Sequence, residues 1–171
     1  MKQLHLIDKT NQTPLKHIYE RKAVRAIIMK DQTLAMIQSD AFQEVKFPGG
    51  GMNTQESLIE TLMRETKEEA GLNIIESSIQ PLGFIEERRI STVEEDTLFL
   101  MTSYYFMCDV TDERSETNLD VYEEAYGYKL IYITIEDAIK ENEKALKLYD
   151  QEAPWIQREL WMLNYLKNQK A

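Results

Sequence analysis

With 171 residues, 43% of them hydrophobic and 29% charged, the chain is long enough for one domain with a real core and too short for two comfortable ones. A formal net charge of −10 argues against a nucleic-acid polymer as partner, because such binding draws on clustered Lys and Arg, whereas a small phosphorylated ligand arriving with a divalent metal is compatible with it. The single cysteine, Cys108, excludes an intramolecular disulfide, no apolar run approaches the roughly 18 residues of a membrane span, and the polar start MKQLHLIDKT predicts a cytoplasmic protein with no membrane partner.

The chain opens on a mostly polar stretch in which Leu4 and Leu6 alternate beside Ile7, the pattern of a short edge strand. Ala23 to Lys30 and Thr33 to Gln38 flank Asp31-Gln32 and read as a β-hairpin. Arg25 interrupts the first run and points either outward or into a cleft as a substrate contact. Phe42 to Phe47 then leads into Pro48-Gly49-Gly50-Gly51, a turn that cannot continue a strand and whose glycines let backbone groups approach a ligand closely.

A helix follows the turn. Ser57 with Glu60 forms a capping-box pattern, and Gly71 is the usual residue just past a helix end. At roughly 100° per residue, Glu65, Glu68 and Glu69 share one arc, while Ile59, Leu62, Met63, Thr66 and Ala70 fill the next. Exposed carboxylates at this spacing repel one another by a few tenths of a kcal/mol per pair, roughly, and a hard cation with oxygen ligands reverses that repulsion. The cluster therefore points to magnesium or manganese, and loss of one of the three charges is expected to leave stability unchanged or slightly raised. Arg64, four residues after Glu60 and four before Glu68, can tie the acidic edge down through helical ion pairs.

Gly50, Glu56, Arg64, Glu65, Glu68, Glu69, Gly71 and Leu72 match, in type and spacing, the box of the Nudix hydrolase family, and the chain resembles that family from about Ala23 to Ala138. The one departure is Thr66 at an aliphatic position, where its methyl can face the core. The resemblance implies an α/β (α+β) fold, a Nudix-like α/β/α sandwich with a mixed β-sheet, here within one domain spanning 1–171.

Beyond the box, Ile79 to Ile90 and Leu98 to Val110 read as a second hairpin, and the near-continuous apolar run LFLMTSYYFMCDV as a central strand covered on both faces. Cys108 within it reads as a buried small hydrophobe. Glu86 and Glu87 alternate faces, so one of them lines the metal cleft or both pair with Arg88 and Arg89. Thr111 to Tyr126 is acidic, polar and long, which suggests an active-site loop. GYKLIYIT supplies a strand, Thr134 caps the helix of IEDAIKENEKAL, and Pro154 starts a last helix over about 154–168 that docks through Trp155, Leu160, Leu163 and Leu166. His5 and His17 have no ligand partners at suitable spacing and read as surface residues.

What the resemblance implies is hydrolysis of a nucleoside diphosphate linked to another moiety, with a nucleoside triphosphate or nucleotide sugar favoured as the small-nucleotide partner. Glu65, Glu68 and Glu69, with the Gly49 carbonyl, would hold Mg2+ or Mn2+, and Arg64 would brace the junction of turn and helix. Glu123 or Glu124 would supply a further carboxylate as ligand or base, with Glu124 preferred, although a box glutamate stays open as the base. Gly49, Gly50, Gly51 and Arg25 would contact substrate, and Phe47, Tyr104, Tyr105 or Tyr122 could stack on a base. The absence of a basic cluster in the sequence predicts poor affinity for metal-free ligand. A non-catalytic nucleotide sensor is the alternative function, an isomerase would need a reactive cysteine that Cys108 does not resemble, and the assembly would be a monomer or homodimer.

Overall fold

A computed structural model of the chain describes residues 1–11 and 13–169. Its strands are β1 (Gln3–Asp8), β2 (His17–Ile27), β3 (Met29–Lys30), β4 (Thr33–Gln38), β5 (Val45–Lys46), β6 (Leu72–Ile74), β7 (Gln80–Ile90), β8 (Thr97–Met107), β9 (Val110–Arg114) and β10 (Lys129–Thr134). The helices are α1 (Leu58–Ala70), α2 (Val121–Tyr126), α3 (Ile135–Tyr149) and α4 (Ile156–Gln169).

Strand alternation decides the layering. Val24, Ala26 and the following Ile28 face one core while Ile27 faces another, and in β4 Ala35 and Ile37 part from Leu34 and Met36 in the same way. Leu62 and Ala70 of α1 close the first core; Ile135 and Ile139 of α3, with Met162, Leu163 and Leu166 of α4, close the second. Helices thus cover both faces of the strands, one sheet being mixed and the other antiparallel, the α/β/α arrangement that the resemblance implied.

One sheet has the order β1-β7-β8-β2, with β1 parallel to β7, β7 antiparallel to β8 and β8 parallel to β2. A second has the order β10-β4-β3 with β5 also on β4, and β6 pairs with β9. The apolar run of β8 does lie inside its sheet, with Tyr105 directed to one core and Phe106 to the other. Thr134 caps α3 by accepting from Asp137 N, and β1 takes the edge position read from Leu4 and Leu6.

Three expectations change. The first hairpin is confined to Met29–Lys30 against β4, because β2 instead runs alongside the whole of β8, a ladder that buries both of its faces from Ala23 onward. The supposed loop over Thr111 to Tyr126 contains β9 and α2, the latter started by a capping box between Asp120 and Glu123 and stopped by Gly127. His5 is not free on the surface: it stacks on Trp161 at 4.6 Å, and burial lowers its pKa. Cys108 is a buried core residue whose thiol is pushed up to about 12 by burial, so it stays a protonated apolar filler.

Candidate active site

The Pro48 to Gly51 turn is fixed against β2, with Ala26 N donating to Pro48 O at 2.8 Å and Val24 N to Gly50 O at 3.0 Å. Gly49 has φ of 137°, and a Cβ there would collide with the Val24 carbonyl. At Gly50 a Cβ would collide with the Glu65 carboxylate, so the absence of a side chain is what lets that acid lie against the turn.

The helix α1 presents its acids from a well-fixed start. Ser57 Oγ accepts from Glu60 N at 3.2 Å, and Glu60 Oε2 accepts from Ser57 N at 2.8 Å. Arg64 is the hub of the outer edge: its Nε and Nη2 donate to the two Glu56 oxygens at 2.6 and 2.8 Å, and its Nη1 to Glu65 at 2.7 Å and Glu68 at 2.9 Å. It also reaches Gly51 O at 3.3 Å, so it joins turn and helix as its place in the box suggests. The Arg64 guanidinium holds the Glu56 carboxyl down at about 2.

The three box acids do not share one environment. Glu68 sits at the rim, Glu65 is half-sunk, and Glu69 is buried, 2% exposed. Burial pushes the Glu65 pKa up, against the pull of Arg64. Glu69 accepts from Gly49 N at 2.8 Å through one oxygen and from Lys46 Nζ at 2.6 Å through the other. Lys46, in β5, also lies over the Tyr128 ring at 4.0 Å.

Of the two loop acids, Glu123 turns inward, whereas Glu124, the one preferred from the sequence, is exposed. The capping box explains the choice: Glu123 Oε2 accepts from Asp120 N at 2.9 Å, which points its side chain back over the helix start. Its other oxygen accepts from Tyr122 OH at 2.9 Å. Burial raises the Glu123 pKa, and the Glu69 charge adds to it. A crowd of hard oxygens in which the carboxylates outnumber the Arg64 and Lys46 cations that engage them suits a divalent cation. Among the described residues the acids do not already enclose a cation position, since Arg64 and Lys46 engage their oxygens. The Gly49 carbonyl accepts from the Arg25 guanidinium.

Phe47 offers no face to a base, because the ring is fully buried and packs edge-on against the equally buried Tyr105. Glu87 pairs with Arg158 at 2.7 Å and Glu86 with Arg88 at 2.6 Å, so each is held by a cation, Glu87 through an arginine that lines a cavity beside the acids. Arg25 is inward, 8% exposed, and its Nε has no partner among the described residues.

Beside the acids lies a cavity of about 330 Å³, lined by Arg21, Arg25, Lys46 and Arg158 together with Tyr126, Tyr128 and Trp155. The basic cluster that the sequence lacked is therefore built by the fold, from β2, β5 and α4. Arg21 and Arg25 lie four apart on one face of a strand, the only local signal that could have announced it. Arg158 is not free to act as a bare cation, because Glu87 and Glu159 neutralise it.

The NUDIX domain family matches residues 19–158, wider than the stretch on which the sequence resemblance rests. Nudix hydrolase 12, mitochondrial, of Arabidopsis thaliana is 32% identical over 126 residues, covering 73% of this chain and 55% of that protein, so the chain spans about half the length of this curated relative. Among solved structures, a NUDIX hydrolase from Nitrosomonas europaea superposes with a TM-score of 0.55 at 18% identity, over 73% of this chain and 79% of the other. An ADP compounds hydrolase gives 0.55 at 19%, over 87% of this chain and 74% of the other. At such identities the likeness is one of fold. No helix among the described residues is long and apolar enough to cross a membrane. The family match takes in every residue that lines the cavity, from Arg21 to Arg158, and on that breadth the chain belongs to the Nudix hydrolase family.

Proposed function

We propose that this chain is a divalent-metal-dependent pyrophosphohydrolase acting on a nucleoside diphosphate linked to another moiety, with a nucleoside triphosphate or nucleotide sugar favoured. The observation that carries the reading is the junction of two unlike surfaces: buried, mutually repelling carboxylates at Glu69 and Glu123, and a cavity with cations and aromatic rings beside them. Glu65, Glu68 and Glu69 would hold Mg2+ or Mn2+. When bound, such a cation supplies charge neutralisation on phosphoryl oxygens and a more acidic water.

The remaining work falls to the chain itself. Arg25, buried with no carboxylate partner among the described residues, and Arg21, which packs on Gly51, present guanidinium donors suited to phosphoryl oxygens. Tyr126, Tyr128 and Trp155 frame the space for a flat ring, and the volume of about 330 Å³ is at the small end for a ligand pocket, which favours one nucleoside over two. Water adds to one phosphorus as the bridging P–O bond breaks, and Glu123 Oε takes the water proton. Glu123 is preferred over Glu124 for that role because it is inward, hydrogen-bonded and raised toward the working range of a base.

Purified protein incubated with nucleoside triphosphates, nucleotide sugars, diadenosine polyphosphates and NADH, with and without Mg2+, tests this directly. Metal-dependent appearance of a nucleoside monophosphate with pyrophosphate or a sugar phosphate is expected. Nucleotide binding without product would make the chain a sensor and overturn the enzymatic reading, and turnover of dinucleotides alone would overturn the substrate preference.

A further inference from the structure

We propose that Lys46 is the internal counter-ion of the metal-free carboxylate cluster, that a divalent cation displaces it from Glu69, and that the released ammonium then binds a phosphoryl oxygen of the substrate. This rests on the metal-site reading of Glu69 given above. Lys46 stands directly before the Phe47-Pro48 entry to the turn, and alternation along β5 puts Val45 and Phe47 into the core under α3 and α4 while Lys46 faces α1. Its side chain is 9% exposed and that of Glu69 1%, and Nζ and Oε1 are 2.6 Å apart. A buried carboxylate needs a positive partner, and removing one member of such a pair leaves a costly uncompensated charge.

That partnership and a metal ion exclude one another. The second Glu69 oxygen is taken by Gly49 N at 2.8 Å, so a dication coordinated by Glu69 Oε1 would face the ammonium across a single atom. Lys46 has somewhere else to go. It lines the cavity with Arg21 and Arg25, its ammonium has three donors of which one is used among the described residues, and the face of Tyr128, 4.0 Å away, keeps a cation favourable at the cavity wall. A phosphoryl group at the carboxylates and in the cavity would meet the displaced ammonium there. The same side chain thus keeps the acids together without metal and contributes to the substrate site with it.

The test is a pair of titrations on wild type, Lys46→Met, Lys46→Arg and Glu69→Gln. Mn2+ is added first; then, at saturating Mn2+, methylenediphosphonate, a pyrophosphate analogue whose P–C–P bridge is not hydrolysed. The expectation for Lys46→Met is opposite signs: Mn2+ binds roughly tenfold tighter because its competitor is gone, and the diphosphonate roughly tenfold weaker. Lys46→Arg, which keeps the charge, should fall between wild type and Met on both. A mutation that merely damaged the fold would weaken both ligands, and its melting midpoint in Mn2+ would stay low; here Mn2+ should raise the Lys46→Met midpoint more than that of wild type. Unchanged or weaker Mn2+ binding by Lys46→Met, or unchanged diphosphonate binding, overturns the proposal while wild type and Glu69→Gln still differ toward Mn2+. If neither wild type nor Lys46→Met takes up Mn2+, the metal-site reading falls and this inference with it.

Discussion

Replacing Glu123 by Gln separates chemistry from stability at one residue. The amide keeps the shape and a carbonyl that can still accept from Asp120 N, so the capping box of α2 survives. It cannot take a proton from water. Removal of a positioned general base costs roughly 10²- to 10⁴-fold in turnover, which is about 2.7 to 5.5 kcal/mol of barrier. Stability should move the other way. Two hydrogen bonds, from Asp120 N and Tyr122 OH, both at 2.9 Å, lose their charge assistance, at about 1 kcal/mol each. Yet the folded pKa of Glu123 is raised, by burial first and by the Glu69 charge next, so ionising this acid is a net penalty in the folded protein despite those bonds. For an acid raised on folding, stability is unaffected below the ordinary value of 4.5, falls as pH rises from there through the folded pKa, and carries the full penalty above it. Glu123→Gln should therefore melt higher than wild type at pH 7 and equal to it at pH 4, while metal-dependent nucleotide cleavage collapses. Glu124→Gln, at an exposed position, should match wild type in both assays. Near-full turnover in Glu123→Gln, or a collapse in Glu124→Gln, would refute the assignment.

Glu68→Gln and Glu69→Gln should both lower turnover by roughly a hundredfold but part company in melting experiments without metal. Glu68 is a rim partner of Arg64, so its loss should change stability by about 0.5 kcal/mol or less, whereas Glu69→Gln removes the buried partner of Lys46, leaves its ammonium to the Tyr128 face and the cavity, and should cost roughly 1.5 to 3 kcal/mol, contrary to the sequence-based expectation for a crowded acid. Thr66 is fully buried with a hydroxyl that has no partner among the described residues; Thr66→Val, nearly isosteric, should stabilise by about 1 kcal/mol in denaturant titrations. Phe47→Ala should destabilise by about 3 to 5 kcal/mol, as a core deletion does, and a variant that lost only nucleotide affinity would restore the stacking role. Because Arg64 depresses Glu56 from 4.5 to about 2, its stabilising contribution is present above pH 4.5 and lost as pH falls through 2, and Glu56→Gln should flatten that stretch of the acid melting curve.

The parts of the site that sequence made legible are those whose determinants lie within one or two helical turns of each other. Ser57 with Glu60, Arg64 with Glu68, and Gly71 act over three to four residues, and their partners are where spacing puts them. Which of Glu123 and Glu124 turns inward is set by an equally local signal, Asp120 three residues ahead, which a loop-like segment conceals. Phe47 and Lys46 carry no such local signal. An aromatic residue before a glycine turn is compatible with both a stacking platform and a core ring, and the choice depends on α4, whose Glu159 accepts from Phe47 N at 3.1 Å across 112 residues of sequence. Lys46 gains its meaning only when Glu69 and Tyr128 are brought to it.

Charge shows the same limit on a larger scale, and length scales explain why a net charge of −10 did not reveal the cluster of cations that the fold gathers in the cavity. A total of −10 spread over the chain governs the field felt far from the surface, but at physiological ionic strength that field decays over about 8 Å. Within the cavity the near groups decide. Arg21, Arg25 and Lys46 are drawn from residues 21 to 46, far from one another along the chain only by the measure of linear clustering, and β2 with β5 sets them on one wall. A phosphate entering that cavity therefore meets cations, whereas at the carboxylates a few ångströms along it meets acids. A metal-free polyanion could satisfy the first surface but not the second, and a metal-complexed one satisfies both. On the metal-site reading proposed above, the acidity of the protein acts less on whether phosphate binds than on the form in which it can reach the acids, which favours a nucleotide carried in with its cation.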